Sequence, residues 1–437
     1  MVMNGTKERL LEKFRKVRGT KGFTRWFNKL NENPRRDEYL KEIGQKIIMP
    51  QFIPWNDPIM VTGSSGPYRI TSKGTLRDWG PIAYWTNIIP PKRSSACLFN
   101  VLHPPAVLLA LKLLHLSRMD MVAYGTTGSS ANDIAIRIAM QYHRQLGNTD
   151  KQKIGCIRGS YHGATGIDLY VSGDPARPAL DDAKYLPKAD WVFRLPDTVR
   201  KTDWFKKFGE INFDKTAAII YEPVQGVRGV RILFEGLKHI LHPAKKRDIL
   251  TIADEVSTAP AKTGRMFASE HLDKMPNLMT IGKAITNGEE VLSAVLIDQE
   301  TAEVVRTFTD FYYGHALSGH PEACQRALEV FEELESMDAL GRVKRLGNFF
   351  LSKLKEMEEL SGVVEARGIG LMLALQVKNS RFADQVKKEM VKLGDLIGTE
   401  GNTIVIKPPF FIEISDIDNF CSNLKKSIEK TARKSKI

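Results

Sequence analysis

The chain has 437 residues, 42% of them apolar and 8% aromatic, enough to bury cores in two or three domains and too apolar for a disordered chain. Its formal charge of +13 lies mainly at the ends: residues 1–50 hold 13 Lys/Arg against 6 Asp/Glu, and residues 421–437 hold 6 against 1. A basic cleft that follows a phosphate backbone needs its excess in the body of the protein, so no nucleic acid is expected as a partner.

Four cysteines, Cys97, Cys156, Cys324 and Cys421, lie far apart without a C-x-x-C pair, so neither a metal site nor a disulfide framework is expected. No charged-then-apolar leader opens the chain and no run of about 18 apolar residues occurs, which predicts no membrane span and a cytoplasmic location.

Residues 10–30 read as two short amphipathic helices, one carrying Leu10, Leu11, Phe14 and Val17, the other Phe23, Trp26, Phe27 and Leu30. Packing of these stripes on the chain's own body or a second subunit is expected in preference to a membrane surface. A polar opening ends at Pro54, and residues 52–87, broken by Gly63, Gly66, Gly74 and Gly80, read as strands and turns. From about residue 119 strands and helices alternate: strand 119–124, helix 131–142, then strands 153–157, 217–221, 249–253, 278–281 and 293–297. These runs are apolar throughout, the pattern of a mostly parallel sheet covered by helices on both faces, an α/β fold. After Pro321 a long helix leads into a second region of shorter strands and helices.

Lys283 follows the apolar run 278–281, and Asp254, 29 residues earlier, ends another. A lysine and an acid at the ends of neighbouring strands can hold pyridoxal phosphate: the amine condenses with the aldehyde and the acid keeps the pyridine nitrogen protonated. Asp254 alone could equally cap a helix, but an ionised Asp at the end of an apolar strand needs a cationic partner, and a pyridinium N–H is one. Between the first strand and its helix, Gly125 to Asn132 form a Gly/Ser turn able to cradle a phosphate, although such turns often hold no ligand. Tyr161, in Tyr161-His162-Gly163, could cover one face of a planar ring or serve ordinary packing.

Taken together the motifs resemble the class III aminotransferases, the ω-amino acid type of the pyridoxal-phosphate enzymes with the aspartate-aminotransferase-like fold (fold type I). The likeness runs from about Gly125 to Glu413 and rests on Gly128-Ser129-Ser130-Ala131-Asn132, Tyr161-His162-Gly163, Glu222-Pro223-Val224-Gln225-Gly226, Asp254-Glu255-Val256, residues 263–268, Gly282-Lys283-Ala284 and Ser318-Gly319-His320-Pro321. It implies Gly128 and Ser129 on the phosphate, Tyr161 with His162 and Val256 at the ring, Asp254 on the pyridine nitrogen, and Lys283 as cofactor lysine and proton shuttle. It also implies a homodimer with a shared active site, in which residues 311–318 face the neighbour's phosphate. The implied domains are residues 1–90 contributing to a small domain, 91–325 as the large cofactor-binding domain and 326–437 as the C-terminal small α+β domain.

Three departures bear on function. Ser257 stands where the family usually has a Gln that reaches the cofactor's phenolic oxygen, so that contact needs a water. Ala316 stands where a Thr commonly reaches the phosphate, which leaves His315 as the other donor there. Val405 stands where many relatives carry an Arg for a substrate carboxylate. In an extended strand Val405 and Lys407 share a face about 7 Å apart, so Lys407 either takes part of that role or is a solvated surface lysine. Glu222, without its arginine, is expected to attract a cationic or distal amine. The resulting expectation is a ping-pong aminotransferase with an amine or amino acid donor, preferring ω-amino and β-amino donors to glutamate, and a keto acid or aldehyde acceptor. Two alternatives remain: a racemase, epimerase or aminomutase of the same fold, and a non-catalytic binding protein on a degenerate aminotransferase fold.

Overall fold

This computed structural model describes residue 14 and residues 20–49, 58–65, 68–71, 74–77, 98, 101–173, 189–196 and 211–434. Leu10, Leu11, Val17, Pro54, Gly66, Gly80 and Cys97 lie outside them. Two compact units divide the chain: Met1–Asn148 with Asn277–Glu332, and Thr149–Pro276 with Glu333–Ile437.

The first unit opens with α1 (Thr20–Asn31) and α2 (Arg36–Ile47). Phe23 and Leu30 of α1 are buried; the Phe23 ring stacks on His115 at 4.3 Å and lies under the Lys112 ammonium. The second predicted stripe therefore packs on the chain's own body. The glycine-broken region is an antiparallel ladder of β1 (Ile59–Ser65), β2 (Tyr68–Thr71) and β3 (Gly74–Arg77), with β4 (Val101–Leu102) parallel to β1 on its other side.

Next comes α3 (Pro104–Ser117), a helix the chain's periodicity does not reveal. Its sequence PPAVLLALKLLHLS is apolar all round because the helix is buried all round, so no polar face marks the period. Each fully buried Leu here contributes roughly 1.5–3 kcal/mol. Prolines at its first turn and the N-cap residue His103 start it: Ala106 N–H donates to His103 Nδ1 (3.2 Å), so the ring proton sits on Nε2 and donates to Gly319 O (2.8 Å). Burial pushes His103 down to about 3, which keeps it neutral.

β5 (Met121–Gly125) leads into α4 (Gly128–Gln145). Later in the chain, β12 (Leu278–Ile281) and β13 (Ser293–Ile297) return to the same unit, and β13 runs antiparallel to both β5 and β12. This part of the sheet is thus not parallel: β13 follows β12 after only eleven residues, too few for the usual crossover helix. α7 (Gln299–Val305) follows, capped by Asp298, and then α8 (Pro321–Ser336), the long helix expected after Pro321.

In the second unit β6 (Lys153–Ile157), α5 (Ile167–Val171), β7 (Val192–Leu195), β8 (Thr216–Tyr221), the two-residue pair β9 (Val224–Gln225) and β10 (Arg231–Ile232), α6 (Phe234–Lys246) and β11 (Leu250–Asp254) follow in order. The strands lie in the order β11-β8-β6-β7, all parallel and, apart from β7 and the half-buried Lys153 that opens β6, buried along their length. The C-terminal stretch of this unit is α9 (Ala339–Lys355), the hairpin β14 (Val363–Ile369) and β15 (Met372–Val377), α10 (Ser380–Lys392), the pair β16 (Gly398–Glu400) and β17 (Thr403–Ile406), and α11 (Ile414–Lys434). Its antiparallel sheet β14-β15-β17-β16 buries Leu373, Leu375, Ile404 and Ile406 against Phe350, Phe382, Val386 and Leu424 of the three helices. Among the described residues no helix is long and apolar enough to cross a membrane, and no cluster of metal-binding side chains occurs.

Candidate active site

Parallel strands place the residues that follow them on one edge of the sheet. In the second unit Tyr161 and His162 follow β6, Glu222 follows β8, and Asp254 ends β11. Ala253 pairs with Tyr221 and Cys156 with Ile220, so the three strands end at the same level. Hydrogen bonds then join what the sequence kept 61 and 92 residues apart. His162 Nδ1 meets Asp254 Oδ2 at 2.8 Å, both side chains being buried; a carboxylate only accepts, which puts a ring proton on Nδ1. The second Asp254 oxygen accepts the Val256 N–H at 3.1 Å. Sequence reasoning grouped His162 with the ring-facing Tyr161; the structure places it against Asp254.

Glu222 accepts the backbone N–H of Tyr161 (2.9 Å) and, less closely, of Gly226 (3.3 Å). It is buried, and burial first, then the neighbouring Asp254 charge, push its carboxyl up to about 7 against the pull of His162 and the two N–H donors. Gln225, fully buried, ties the same loop to β6: its amide donates to Arg158 O (3.0 Å) and Ser160 Oγ (3.1 Å).

Residues 226–230 form a loop closed by the β9–β10 pair and laid along one face of β17. A Cβ on Gly229, whose φ is +69°, would stand 2.6 Å from Thr403 Cγ2. Val405 packs with Val224, Val230 and Met372 in an apolar cluster. Lys407 Nζ donates to Gly226 O at 2.9 Å, and a Cβ on Gly226 would stand 3.3 Å from that Nζ and 3.6 Å from Ser257 Cβ. Thr403, Val405 and Lys407 therefore share a face, as a period of two demands. Lys407 is not a freely solvated side chain.

One buried residue of this edge was missed as a functional candidate. The Glu255 carboxylate accepts the Ser269 N–H (2.6 Å), the Ala268 N–H (2.8 Å) and the Thr258 hydroxyl (2.5 Å), which clamps the loop after β11. Burial still raises its pKa. Only its position inside Asp254-Glu255-Val256 hinted at this.

In the first unit the end of β5 and the end of β12 also share an edge, since Gly125 pairs with Ser293 and Ile281 with Ala294. Thr127 caps α4: its hydroxyl accepts the Ser130 N–H, and Ser130 Oγ accepts the N–H groups of Thr126 and Thr127. The N–H groups of Gly128 and Ser129 remain at the helix start, where an anion is favoured. Beyond β12 lies Lys283, exposed and held at φ +48°. A left-handed conformation costs a non-glycine residue about 1 kcal/mol or more, and such strain concentrates at functional sites. His315 and Ala316 sit in a turn closed by Ser318, whose hydroxyl accepts the His315 N–H at 3.0 Å.

The family model for class-III aminotransferases matches residues 90–428. The chain belongs to that family. Class III relatives include a putrescine–pyruvate aminotransferase of Pseudomonas aeruginosa, 30% identical over 76% of this chain and 79% of that protein. An acetylornithine aminotransferase of Methanocaldococcus jannaschii is 31% identical over 72% and 76%, and a mitochondrial gamma aminobutyrate transaminase of Solanum lycopersicum 29% over 76% and 70%. Among solved structures, a transaminase from the marine bacterium Virgibacillus has the same fold, with TM-score 0.73 at 24% identity over 86% of this chain and 94% of that one.

The class III chain is an aminotransferase, and the family match lends no support to the racemase or the non-catalytic reading. Pyridoxal phosphate is its cofactor, and the side chains present fit that group. A buried carboxylate fixed by an imidazole and a backbone N–H suits a pyridinium, a capped helix start with two remaining N–H donors suits a phosphate, and an exposed lysine suits an aldehyde.

Proposed function

We propose that the two strand-end clusters serve one pyridoxal phosphate and that the enzyme moves amino groups from ω-amino and β-amino donors to a keto acid or aldehyde. In this reading Gly128 and Ser129 hold the phosphate, Tyr161 and Val256 cover the ring, and Ser257 reaches the phenolic oxygen through a water. Asp254 keeps the pyridine nitrogen protonated, with His162 fixing the carboxylate. When bound, the cofactor supplies an electron sink for the charge left as a donor carbon loses its proton. Lys283 Nζ holds the cofactor and, once displaced by the donor amine, takes up that proton. A homodimer of closed two-fold symmetry is part of the proposal, with His315 and Ala316 beside the neighbour's phosphate. So is a cytoplasmic location, which the buried, unbridged Cys156, Cys324 and Cys421 support.

The observation that carries the donor class is the side-chain arrangement on β17. Val405 fills an apolar cluster where an arginine would grip an α-carboxylate, and Lys407, bound to Gly226 O, is a point charge that cannot grip one bidentately. Glu222, titrating near neutrality, is free of an arginine partner at that position and can draw in a distal ammonium. The donors after which the relatives are named, γ-aminobutyrate, putrescine and acetylornithine, are ω-amines.

The test measures the first half-reaction with glutamate, ω-amines and β-amino acids, using wild type and Lys407→Ala. Donors with a distal amine react fastest in the proposed reading, and Lys407→Ala changes the order; glutamate as the fastest donor overturns it, and unchanged rates in the variant remove Lys407 from recognition. Borohydride reduction of the cofactor-loaded protein should label Lys283, and labelling of any other lysine refutes that assignment.

A further inference from the structure

The C-terminal stretch of the second unit holds a half-open cavity of about 510 Å³ between β16–β17, α9 and α11. Its floor is apolar and buried, with Phe350, Ile406 and Ile417, and its rim is charged, with Asp395, Asp416 and Lys407. The volume and the mix of apolar wall with a few polar groups are those of small-molecule sites.

We propose that this cavity, whose lining does not include Lys283, binds a small organic cation, an amine with an apolar body. Asp395 and Asp416 bring two carboxylates to the lining, while the Lys407 ammonium is turned to Gly226 O on the face of β17 opposite Ile406, so the mouth favours positive charge. Both carboxylates are anchored before a ligand arrives. Asp395 Oδ2 accepts from Asn423 Nδ2 (2.9 Å) and Asp416 Oδ2 accepts the Glu413 N–H (2.8 Å), each through one oxygen, which leaves the other to meet an ammonium. Such preorganisation lowers the cost of binding. The apolar body fills the floor and loses its contact with water.

The test uses holoenzyme and N,N-dimethyl-2-phenylethylamine, a tertiary amine that cannot condense with the cofactor's aldehyde, with binding followed by calorimetry. Saturable binding of one molecule per chain is expected, retained in Lys283→Ala. The double variant Asp395→Asn/Asp416→Asn keeps the anchoring oxygens and removes both charges; it weakens binding by about tenfold or more. Ile412→Trp, at the half-buried wall, blocks the cavity and abolishes binding. Isopentylbenzene, of the same shape without the charge, binds the wild type about tenfold more weakly. Absence of saturable binding, unchanged affinity in the double variant, or equal affinity for the neutral compound overturns the proposal. Loss of binding in Lys283→Ala overturns it as well, by assigning the amine to the cofactor site, while leaving the aminotransferase reading intact.

Discussion

Two glutamates of the second unit, Glu222 beside the strand ends and Glu389 on α10, respond in opposite ways to similar coverage. Glu222 is 3% exposed and Glu389 7%. Yet the carboxyl of Glu222 is pushed up to about 7, while that of Glu389 is pulled down to about 2. What covers Glu389 is the three exposed ammonium chains of Lys392, Lys430 and Lys434, at 3.1, 2.6 and 3.1 Å, so water and positive charge surround it. What covers Glu222 is the sheet edge, a second carboxylate and two backbone donors. Coverage by solvated cations stabilises a charge; coverage by protein interior opposes it.

The largest expected effect comes from breaking the buried cluster. Asp254→Asn removes the charge that His162 and the Val256 N–H hold in place, and kcat/KM should fall by about a hundredfold or more. Steady-state kinetics of variant and wild type at saturating cofactor decide this, and a loss below about tenfold would mean that Asp254 does not act on the reacting group. A smaller effect is expected from Glu222→Gln. As pH falls through about 7, Glu222 gains a proton and loses its attraction for a distal ammonium. The KM for a diamine should therefore rise below pH 7 in wild type, by about tenfold across the transition, and stay high and flat in the variant. A wild-type profile without that inflection would show that Glu222 does not meet the donor.

Stability separates the two glutamates further. The folded pKa of Glu222 lies above its ordinary value of 4.5. Its protonated form therefore favours folding below pH 4.5, and that contribution is lost as pH rises through about 7. Thermal melts of Glu222→Gln and wild type should thus compare more favourably for the variant at pH 8 than at pH 5, and the reverse order would contradict the burial argument. Glu389→Gln is expected to be the mildest change. Its ion pairs are solvent-screened, so the melting temperature at neutral pH should move by less than about 2 °C, and still less in high salt. A larger shift would show that the lysine cluster is structural after all.

The same contrast explains what could be read from the chain beforehand. Strands 153–157, 278–281 and 293–297 match β6, β12 and β13 residue for residue, because turn signals bound each apolar run. α3 escaped notice, since burial on every side erased its amphipathic period. β7 did so as well, being a short edge strand with only one buried residue. The antiparallel course of β13 does not lie in its apolar run, which has no direction until it pairs; the sequence signal for it is the gap of eleven residues after β12, too short for a crossover helix.

By itself the sequence determined the family and the motif set, because Lys283, Asp254, Tyr161, Glu222 and the Gly128-Ser129 turn are chemical types at local spacings that survive without knowledge of contacts. Only the tertiary structure decided that His162 belongs to Asp254, that Glu255 clamps residues 268–269, that Lys407 bonds to Gly226 and that Glu222 titrates near neutrality. Each of these depends on which atoms are brought within about 3 Å and on how much water is removed around them, and both follow from chain segments packing together over separations that no local pattern encodes.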